Sequence, residues 1–310
     1  PILLLFISFL EGNRMFLESA KKWASQVRVS FLVLSVLLVI FGGAAAFEDG
    51  LFHPLRLLLT MVGVILAHIA VNLYNESSDH QTGIDFKTQR TPFSGGTGNL
   101  QKGRTSLRAV QFMAFATLWT AFAIGVYLSW TSGWMLMVFI VMGGLAARFY
   151  TTHLARWTMG EFAAGVCLGT FVVLGTYYTQ AGGFTSSVIW LAIPPGILTA
   201  LLLLLNEFPD VEADRQGGRR HLVIVLGPRR AAFVYTAALA VNYFILLWGV
   251  VSGFFPSTVL MTLLTLPLAF KAAYGALRFD GSVEKLVPAL GANVVLVLGT
   301  NLLLAVAYFV

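Results

Sequence analysis

Long stretches with almost no charged side chains restrict the fold of this chain more than any other feature. Nine such hydrophobic segments can be delimited, each about 20 residues long. A helix of that length crosses a hydrocarbon layer of ~30 Å, whereas a membrane β-barrel needs ten-residue segments of alternating polarity. Apolar runs such as 197–205 do not alternate. We therefore expect an all-α membrane protein with nine transmembrane helices, at 29–47, 54–74, 107–128, 133–150, 162–180, 187–206, 231–252, 256–275 and 287–309.

The composition favours one membrane domain over two water-soluble ones. Length alone, 310 residues, would allow two soluble domains. However, only 11% of the residues are charged, against about 25% in soluble domains, and the mean hydropathy is +0.80. Too few polar side chains remain to cover a water-facing surface. We expect a single polytopic domain at 29–310, preceded by an interfacial or cytoplasmic segment at 1–28.

The basic residues indicate the orientation of the chain in the membrane. When the nine segments are threaded through a bilayer, nineteen of the twenty Lys and Arg residues fall on one side, and only Arg56 falls on the other. Cytoplasmic loops carry such an excess of basic residues. The net charge of +6 is therefore a topology signal, and we do not expect the chain to bind nucleic acid.

Two acidic motifs recur at matching places in the two halves of the chain. Asn75-Glu76-x-x-Asp79, within the polar stretch 72–85, aligns with Asn206-Glu207-x-x-Asp210, within 206–214, at an offset of 131 residues. Each motif ends an even-numbered segment on the predicted cytoplasmic side. This duplication predicts two pseudo-repeated halves, with both motifs facing a shared central cavity.

Helical spacing places the oxygen-bearing side chains of each motif on one face. One face of the second span carries Asn72, Asn75, Glu76 and Asp79. We expect Glu207, Asp210 and Asp214 to continue the sixth span in the same way. Two acidic stripes that face each other repel unless cations lie between them, and hard oxygen ligands suit Mg²⁺. Ionisable groups beside membrane spans are costly and usually functional.

Basic residues follow each acidic motif. Lys87 and Arg90 follow the first, and Arg219 and Arg220 follow the second. Metal ions that bridge phosphate oxygens, together with guanidinium groups that bind the remaining charge, form a diphosphate site. The motifs therefore predict a site for a diphosphate substrate at the cytoplasmic ends of the spans.

These residues resemble the UbiA superfamily of intramembrane prenyltransferases. That family carries an Asn-Asp-x-x-Asp-like motif after its second helix and an Asp-x-x-x-Asp motif after its sixth. In this chain they correspond to Asn75-Glu76-x-x-Asp79 and Asp210-x-x-x-Asp214. The resemblance covers most of the chain. Glu76 departs from the pattern, because its side chain is one methylene longer than that of the usual Asp.

Further segments are similar to the 1,4-dihydroxy-2-naphthoate prenyltransferases of that superfamily. These segments are Gly83-Ile-Asp85, Arg148-Phe-Tyr150-Thr151, Gly160-Glu161, 175–180, and 206–214 with 218–222. The resemblance implies Mg²⁺-dependent transfer of a polyprenyl group from its diphosphate to an aromatic acceptor, with dihydroxynaphthoate favoured. Hydroxybenzoate, homogentisate, a haem or a lipid remain alternative acceptors. It also implies an integral protein of a bacterial-type inner membrane, with lipid around its helices and the active site facing the cytoplasm.

The resemblance assigns roles to residues of this sequence. The implied Mg²⁺ ligands are Asn75, Glu76, Asp79, Asp210 and Asp214. The candidate catalytic residues are Asp79, Asp210 and Asp214, with Asp85 and Glu161 as groups that orient the acceptor or act as a base. The candidate substrate-binding residues are Asn72, Asn75, Lys87, Arg90, Arg28, Arg148, Tyr150, Arg219 and Arg220.

Some features leave other interpretations open. A secondary transporter also combines repeats with membrane acids, although its acids usually lie near the bilayer midplane. His68, one turn before Asn72, either lines the cavity or packs as a hydrogen-bonded histidine. Gly165 and Gly169 form a GxxxG pattern that predicts close helix packing.

Overall fold

The computed structural model describes residues 17–310. Residues 1–16 of the predicted N-terminal segment 1–28 therefore lie outside the described residues. The remainder forms a helix at 17–26 and a turn at Val27 and Arg28. Arg28 has a φ of 54°, in the left-handed region, and it connects this helix to the first predicted span.

All nine hydrophobic segments are helical. The helices are α1 (Val29–Glu48), α2 (Pro54–Thr82), α3 (Leu107–Ser132), α4 (Leu136–Phe149), α5 (Gly160–Ala181), α6 (Ser186–Asn206), α7 (Pro228–Val251), α8 (Ser257–Leu277) and α9 (Val283–Ala307). Short helices at Ile84–Lys87, Leu154–Arg156, Val211–Gln216 and Leu222–Leu226 lie in the connections. No strand occurs between residues 17 and 310, so the all-α prediction is confirmed.

The count of nine full spans is not confirmed. Of the helices in the described part of the chain, eight are long and apolar enough to cross a membrane. The exception is α4, whose 14 residues extend about 21 Å, less than the ~30 Å of a hydrocarbon layer. It is shortened because Gly133, with a φ of 128°, ends α3, and the chain turns again after Tyr150.

Helix α2 is much longer than the predicted span. Its 29 residues extend about 44 Å, from Pro54 in the first turn to the left-handed Gly83 that ends it. A helix of that length extends beyond the hydrocarbon layer. Its last two turns therefore carry the first acidic motif on continuous helix, as predicted.

The packed core lies on one side of the molecule. The largest cluster of buried apolar side chains comes from α1 and from α5 through α9, whereas α2, α3 and α4 contribute two small clusters. Helices α5 and α6 approach closely, because a Cβ atom on Gly165 would lie 2.7 Å from the carbonyl oxygen of Gly196, and one on Gly169 would lie 2.6 Å from its Cα. The predicted close packing of the GxxxG pattern is confirmed.

Arg56 joins three helices at the end of the molecule opposite the acidic motifs. Its guanidinium donates to the carbonyl oxygen of Thr131 at 2.6 Å and to that of Thr179 at 3.3 Å. Both carbonyls lie in the last turns of helices, α3 and α5, where they lack helical partners and carry partial negative charge. Arg56 lies on the opposite side of the membrane from the other basic residues because it binds helix ends there and so holds this end of the bundle together.

Replacement of Arg56 by methionine will destabilise the protein. The change keeps a long side chain but leaves two helix-terminal carbonyls without a charged donor, a loss of about 2 kcal/mol. Thermal unfolding in detergent measures it, with Arg104→Met as the control, because Arg104 is exposed and its side chain has no hydrogen bond in the described structure. Equal melting temperatures for the two variants would contradict this role.

Candidate active site

A cavity of about 740 Å³ is lined by all six helices from α1 to α6 and by the loops at one end of them. Helices α7, α8 and α9 contribute no described residue to this lining. Its walls are mostly apolar and aromatic, as at Phe122, Phe139 and Phe171. Phe115 and Trp119 also line it, and each is more than half exposed on the outer surface. The cavity is therefore bordered by an open side at α3 and α4, and its charged groups gather at one end.

The two acidic motifs meet at this charged end through Arg219. The guanidinium of Arg219 donates to Asp214 at 3.0 Å and to the side-chain oxygen of Asn75 at 2.9 Å, and it forms an ion pair with Asp79. Asp79 and Asp214 are 4% and 1% exposed. One buried cation thus binds both motifs, although 135 positions separate the two carboxylates. The expectation that both motifs face one cavity is met in this geometry.

The second motif does not continue the sixth span. Helix α6 ends at Asn206, residues 207–210 form a turn, and a new helix begins at Val211. The prediction that Glu207, Asp210 and Asp214 form one stripe on a continuous helix was therefore wrong. The two copies of the motif have different local structures.

Several buried acidic groups at the charged end have too few cationic partners. Asp210 and Asp214 lie close together, and the Oδ1 atom of Asp210 is buried without a hydrogen bond to any residue of 17–310. Burial, and then the charge of Asp214, raise the pKa of Asp210 to about 8. Burial and the neighbouring Glu161 likewise raise the pKa of Glu207. These shifts indicate that the cluster favours an additional positive charge.

His221 lies beside two of these acids, and the residue after it binds a third. Its Nε2 atom lies 3.3 Å from Asp214, and its Nδ1 atom lies 3.7 Å from Glu207. Glu161 accepts a hydrogen bond of 2.7 Å from the backbone N–H of Leu222. Glu161 thus supports the loop that carries Arg219 and His221. Sequence reasoning missed His221, because only the folded loop brings it beside residues far away in the chain.

Glu76 faces away from the cavity. It is fully buried, and it accepts hydrogen bonds from Arg28 at 2.9 Å and from the backbone and hydroxyl of Thr97. It does not line the cavity, unlike Asn75 and Asp79. We therefore revise its assignment as a metal ligand. The longer side chain of glutamate reaches the glycine-rich loop, residues 94–98, and ties it to α2, which accounts for the departure from aspartate.

The remaining predicted substrate-binding residues divide into two groups. Those that line the cavity are Arg28, Asn72, Asn75, Arg148, Tyr150 and Arg219. Lys87, Arg90 and Arg220 lie outside its lining: Lys87 donates to Gln216, Arg90 donates to the carbonyl oxygen of Gly95, and Arg220 is exposed. The cavity therefore does not include these three.

Asp85 lines the cavity beneath the glycine-rich loop. Its Oδ2 atom accepts a hydrogen bond of 2.8 Å from Gln101, and a Cβ atom on Gly96 would lie 2.4 Å from its Oδ1 atom. Gly96 has a φ of 71°, so this close approach requires glycine. Burial, and then the charges of Asp79 and Glu76, raise the pKa of Asp85 to about 6.

In the present geometry, no three His, Cys, Asp or Glu side chains among residues 17–310 converge as a metal site. The guanidinium of Arg219 lies between the two acidic motifs. The site resembles one in which a resident cation already neutralises part of the acidic charge.

Comparison with known proteins identifies the family. The sequence pattern of the UbiA prenyltransferase family matches residues 36–308. The chain belongs to the UbiA prenyltransferase family. The resemblance noted at the two motifs is thereby confirmed, and the membrane acids are those of a prenyltransferase family and not of a transporter.

Members of the UbiA family resemble this chain in sequence and in fold. A 1,4-dihydroxy-2-naphthoate octaprenyltransferase of Bacillus subtilis is 26% identical over 260 residues, which cover 83% of this chain and 82% of that protein. A UbiA homolog from Aeropyrum pernix superposes with a TM-score of 0.64 over 86% of this chain and 96% of its own, at 19% identity. A UbiA homolog from Archaeoglobus fulgidus bound to DMAPP and Mg²⁺ superposes with a TM-score of 0.62 over 92% and 99%, at 14% identity.

Removal of Arg219 will destabilise this UbiA-family protein. Arg219→Ala leaves the buried carboxylates of Asp79 and Asp214 without their cation, a loss of about 3 kcal/mol. Arg220→Ala is the matched control, because it removes the same side chain from the exposed neighbouring position. Thermal unfolding in detergent compares them, and a cycle with Asp79→Asn should be non-additive. Additive losses would show that the Arg219–Asp79 pair contributes nothing.

Substitution of Asp85 will stabilise the fold at alkaline pH. Because the folded-state pKa is about 6 and the ordinary value is 3.8, the contribution of Asp85 to stability is present below pH 4 and is lost as the pH rises through 6. Asp85→Asn lacks this loss, so its advantage over the parent should grow to about 2 kcal/mol by pH 8.

Melting temperatures at pH 4.5 and pH 8 measure this difference. Asp280→Asn is the control, since a hydrogen bond from Lys285 lowers the pKa of the exposed Asp280. That variant should gain nothing at alkaline pH. A stabilisation by Asp85→Asn that is the same at both pH values would refute the assignment.

Proposed function

We propose that this protein transfers a polyprenyl group from its diphosphate to an aromatic acceptor, with Mg²⁺ bound at the charged end of the cavity. The acceptor that we favour is 1,4-dihydroxy-2-naphthoate, the step that yields a prenylated naphthoquinol for menaquinone. We place the site at the cytoplasmic face of a bacterial-type inner membrane, because nineteen of the twenty basic residues lie on the predicted side of the motifs.

The single observation that supports this reaction best is the division of the cavity into a charged end and an apolar body. Asn75, Asp79, Asp210, Asp214 and Arg219 gather at one end, and the rest of the lining is mainly apolar. A polyprenyl diphosphate has the same division, with a highly charged head and a hydrocarbon chain. The open side at α3 and α4 matches a long chain that extends into surrounding lipid.

The donor set at the charged end fits a divalent cation. Asn75, Asp79, Asp210 and Asp214 offer hard oxygen ligands, and the buried Oδ1 atom of Asp210 has no partner. The raised pKa of Asp210 has the same cause, an excess of buried negative charge. These four residues would hold Mg²⁺, which when bound neutralises charge on the diphosphate oxygens and so promotes departure of the diphosphate. The Archaeoglobus fulgidus homolog bound to DMAPP and Mg²⁺ supports the same use.

The residues of this chain then have distinct tasks in the reaction. Arg219 and Arg28 bind negative charge on the diphosphate as the allylic C–O bond breaks, and the bonding electron pair leaves with the diphosphate. The acceptor carbon forms the new C–C bond to the allylic carbon, and the bond from that ring carbon to its former substituent breaks, which restores the aromatic ring. The substituent leaves as a proton, or as carbon dioxide where the carbon carried the carboxylate. The rings of Tyr74 and Tyr150 lie at this end, and the aromatic face of Tyr74 already stacks against a cation, Arg148, at 5.1 Å. The apolar walls exclude water, which would otherwise capture the allylic cation.

The choice of acceptor is supported by the names of related proteins. The octaprenyltransferases of Bacillus subtilis and Haemophilus influenzae, each 26% identical to this chain over more than four fifths of its length, act on 1,4-dihydroxy-2-naphthoate by name. Asp85 and Glu161 stay candidates for orienting the acceptor. Asp85 lines the cavity, whereas Glu161 lies behind it.

A radiolabelled prenyl diphosphate assay in membranes tests the proposal. With Mg²⁺ and dihydroxynaphthoate, label should enter a lipid-soluble quinol, and EDTA should abolish this transfer. Asp79→Asn and Asp210→Asn should each lower turnover by about 100-fold or more, because they remove charge from the diphosphate site.

Asp280→Asn is the matched control, since it removes an exposed carboxylate that does not line the cavity and should leave turnover unchanged. Hydroxybenzoate, offered in parallel, tests the acceptor. Faster transfer to hydroxybenzoate would overturn the acceptor only, whereas transfer that is insensitive to EDTA and to both aspartate changes would overturn the mechanism.

A further inference from the structure

His68 lines the cavity at the inner border of the charged end, within reach of the charge of Arg28. It lies on α2, on the same face as Asn72, Asn75 and Asp79, and about 10 Å of helical rise separates it from Asn75. Its neighbours on the cavity lining, Val64, Ala67 and Val71, are apolar. The imidazole of His68 therefore lies at the boundary between the charged end and the apolar body of the cavity.

Ser35 holds the ring of His68 in place. The hydroxyl of Ser35 lies 2.8 Å from the Nδ1 atom of His68, and Ser35 is fully buried in α1. The Nε2 atom has no hydrogen-bond partner among residues 17–310. It remains accessible to a small molecule, and His68 lines the cavity. One ring nitrogen thus serves to orient the imidazole, and the other is directed to the cavity.

The chemistry of the substrates decides what the free nitrogen can bind. The prenyl chain carries no hydrogen-bonding atom. The diphosphate is bound at the charged end, where Arg219 and Arg28 supply positive charge. The remaining polar groups are the hydroxyls and the carboxylate of the aromatic acceptor. Of these, only a hydroxyl can bind the ring nitrogen in either tautomer that Ser35 selects, because a hydroxyl both donates and accepts, whereas an ionised carboxylate only accepts.

On the basis of the proposed function, we propose that His68 binds a ring hydroxyl of the aromatic acceptor and so places the acceptor beside the allylic carbon. The Nε2 atom forms the hydrogen bond, and Ser35 positions the imidazole for it. His68 thereby selects hydroxylated aromatic acceptors. The diphosphate end of the cavity has no part in this selection.

The test compares the Michaelis constants of the two substrates in the full chain, reconstituted in membranes. His68→Phe keeps an aromatic ring but removes both nitrogens. It should raise KM for dihydroxynaphthoate, or lower kcat/KM for it, by about 10- to 100-fold, and leave KM for the prenyl diphosphate unchanged. His68→Gln, whose amide reaches a similar position, should restore part of the loss. His153→Phe, at an exposed position, is the matched control and should change neither constant.

Acceptor analogues separate binding from a merely structural effect. A dihydroxynaphthoate methylated on the hydroxyl that binds His68 should be a poor acceptor for the parent protein. With this analogue, His68→Phe should cause no further loss of kcat/KM. Ser35→Ala, which keeps the imidazole but frees it to rotate, should show a smaller loss in the same direction.

The outcomes distinguish this inference from the proposed function. Transfer by the parent protein with an unchanged acceptor KM in His68→Phe and Ser35→Ala overturns the role of His68 and leaves the function intact. An equal rise in both Michaelis constants, or the same loss with free and methylated acceptors, also overturns it. If the parent transfers to no aromatic acceptor, the proposed function and this inference both fail. If His68→Phe does not fold, His68→Gln and Ser35→Ala carry the same comparison.

Discussion

Arg219 holds the two acidic motifs together, and the rest of the site depends on this interaction. Asp79 and Asp214 belong to different helices and repel each other, and a buried guanidinium between them changes repulsion into attraction. The same side chain also binds Asn75. A point charge such as lysine would not bind three partners at fixed angles, whereas the planar guanidinium does so. The arrangement leaves Asp210 and Glu207 in excess, and the charged end of the cavity is therefore prepared for a further cation.

The loops at this end are organised by carboxylates that have no contact with the cavity. Glu76 binds Arg28 on one side and the loop at Thr97 on the other. Glu161 accepts the backbone N–H of Leu222 and supports the loop that carries Arg219. Buried carboxylates that accept hydrogen bonds from backbone N–H groups can hold irregular backbone in a fixed shape, which apolar contacts would not specify. At the opposite end, Arg56 performs a similar task for helix termini.

The position of the cavity follows from the distribution of packing. Helices α1 and α5 through α9 form the large apolar core, and α2, α3 and α4 pack against it more loosely. The loosely packed side contains the apolar body of the cavity and its exposed aromatic residues. Rigid support on one side and an open side on the other suit a substrate with a fixed head and a long chain.

The sequence by itself determined the helical class, the nine apolar segments and the gathering of both acidic motifs at one end. These properties depend on hydrophobicity and charge along the chain, which act residue by residue and need no knowledge of packing. Only the tertiary structure decided that α4 is too short to span, that α6 ends at Asn206, and that Glu76 turns away from the cavity. It also brought His221 to the acids and His68 to Ser35. Each of these features depends on contacts between residues that are far apart in the chain. The local sequence pattern does not show which distant residues the packing will bring together.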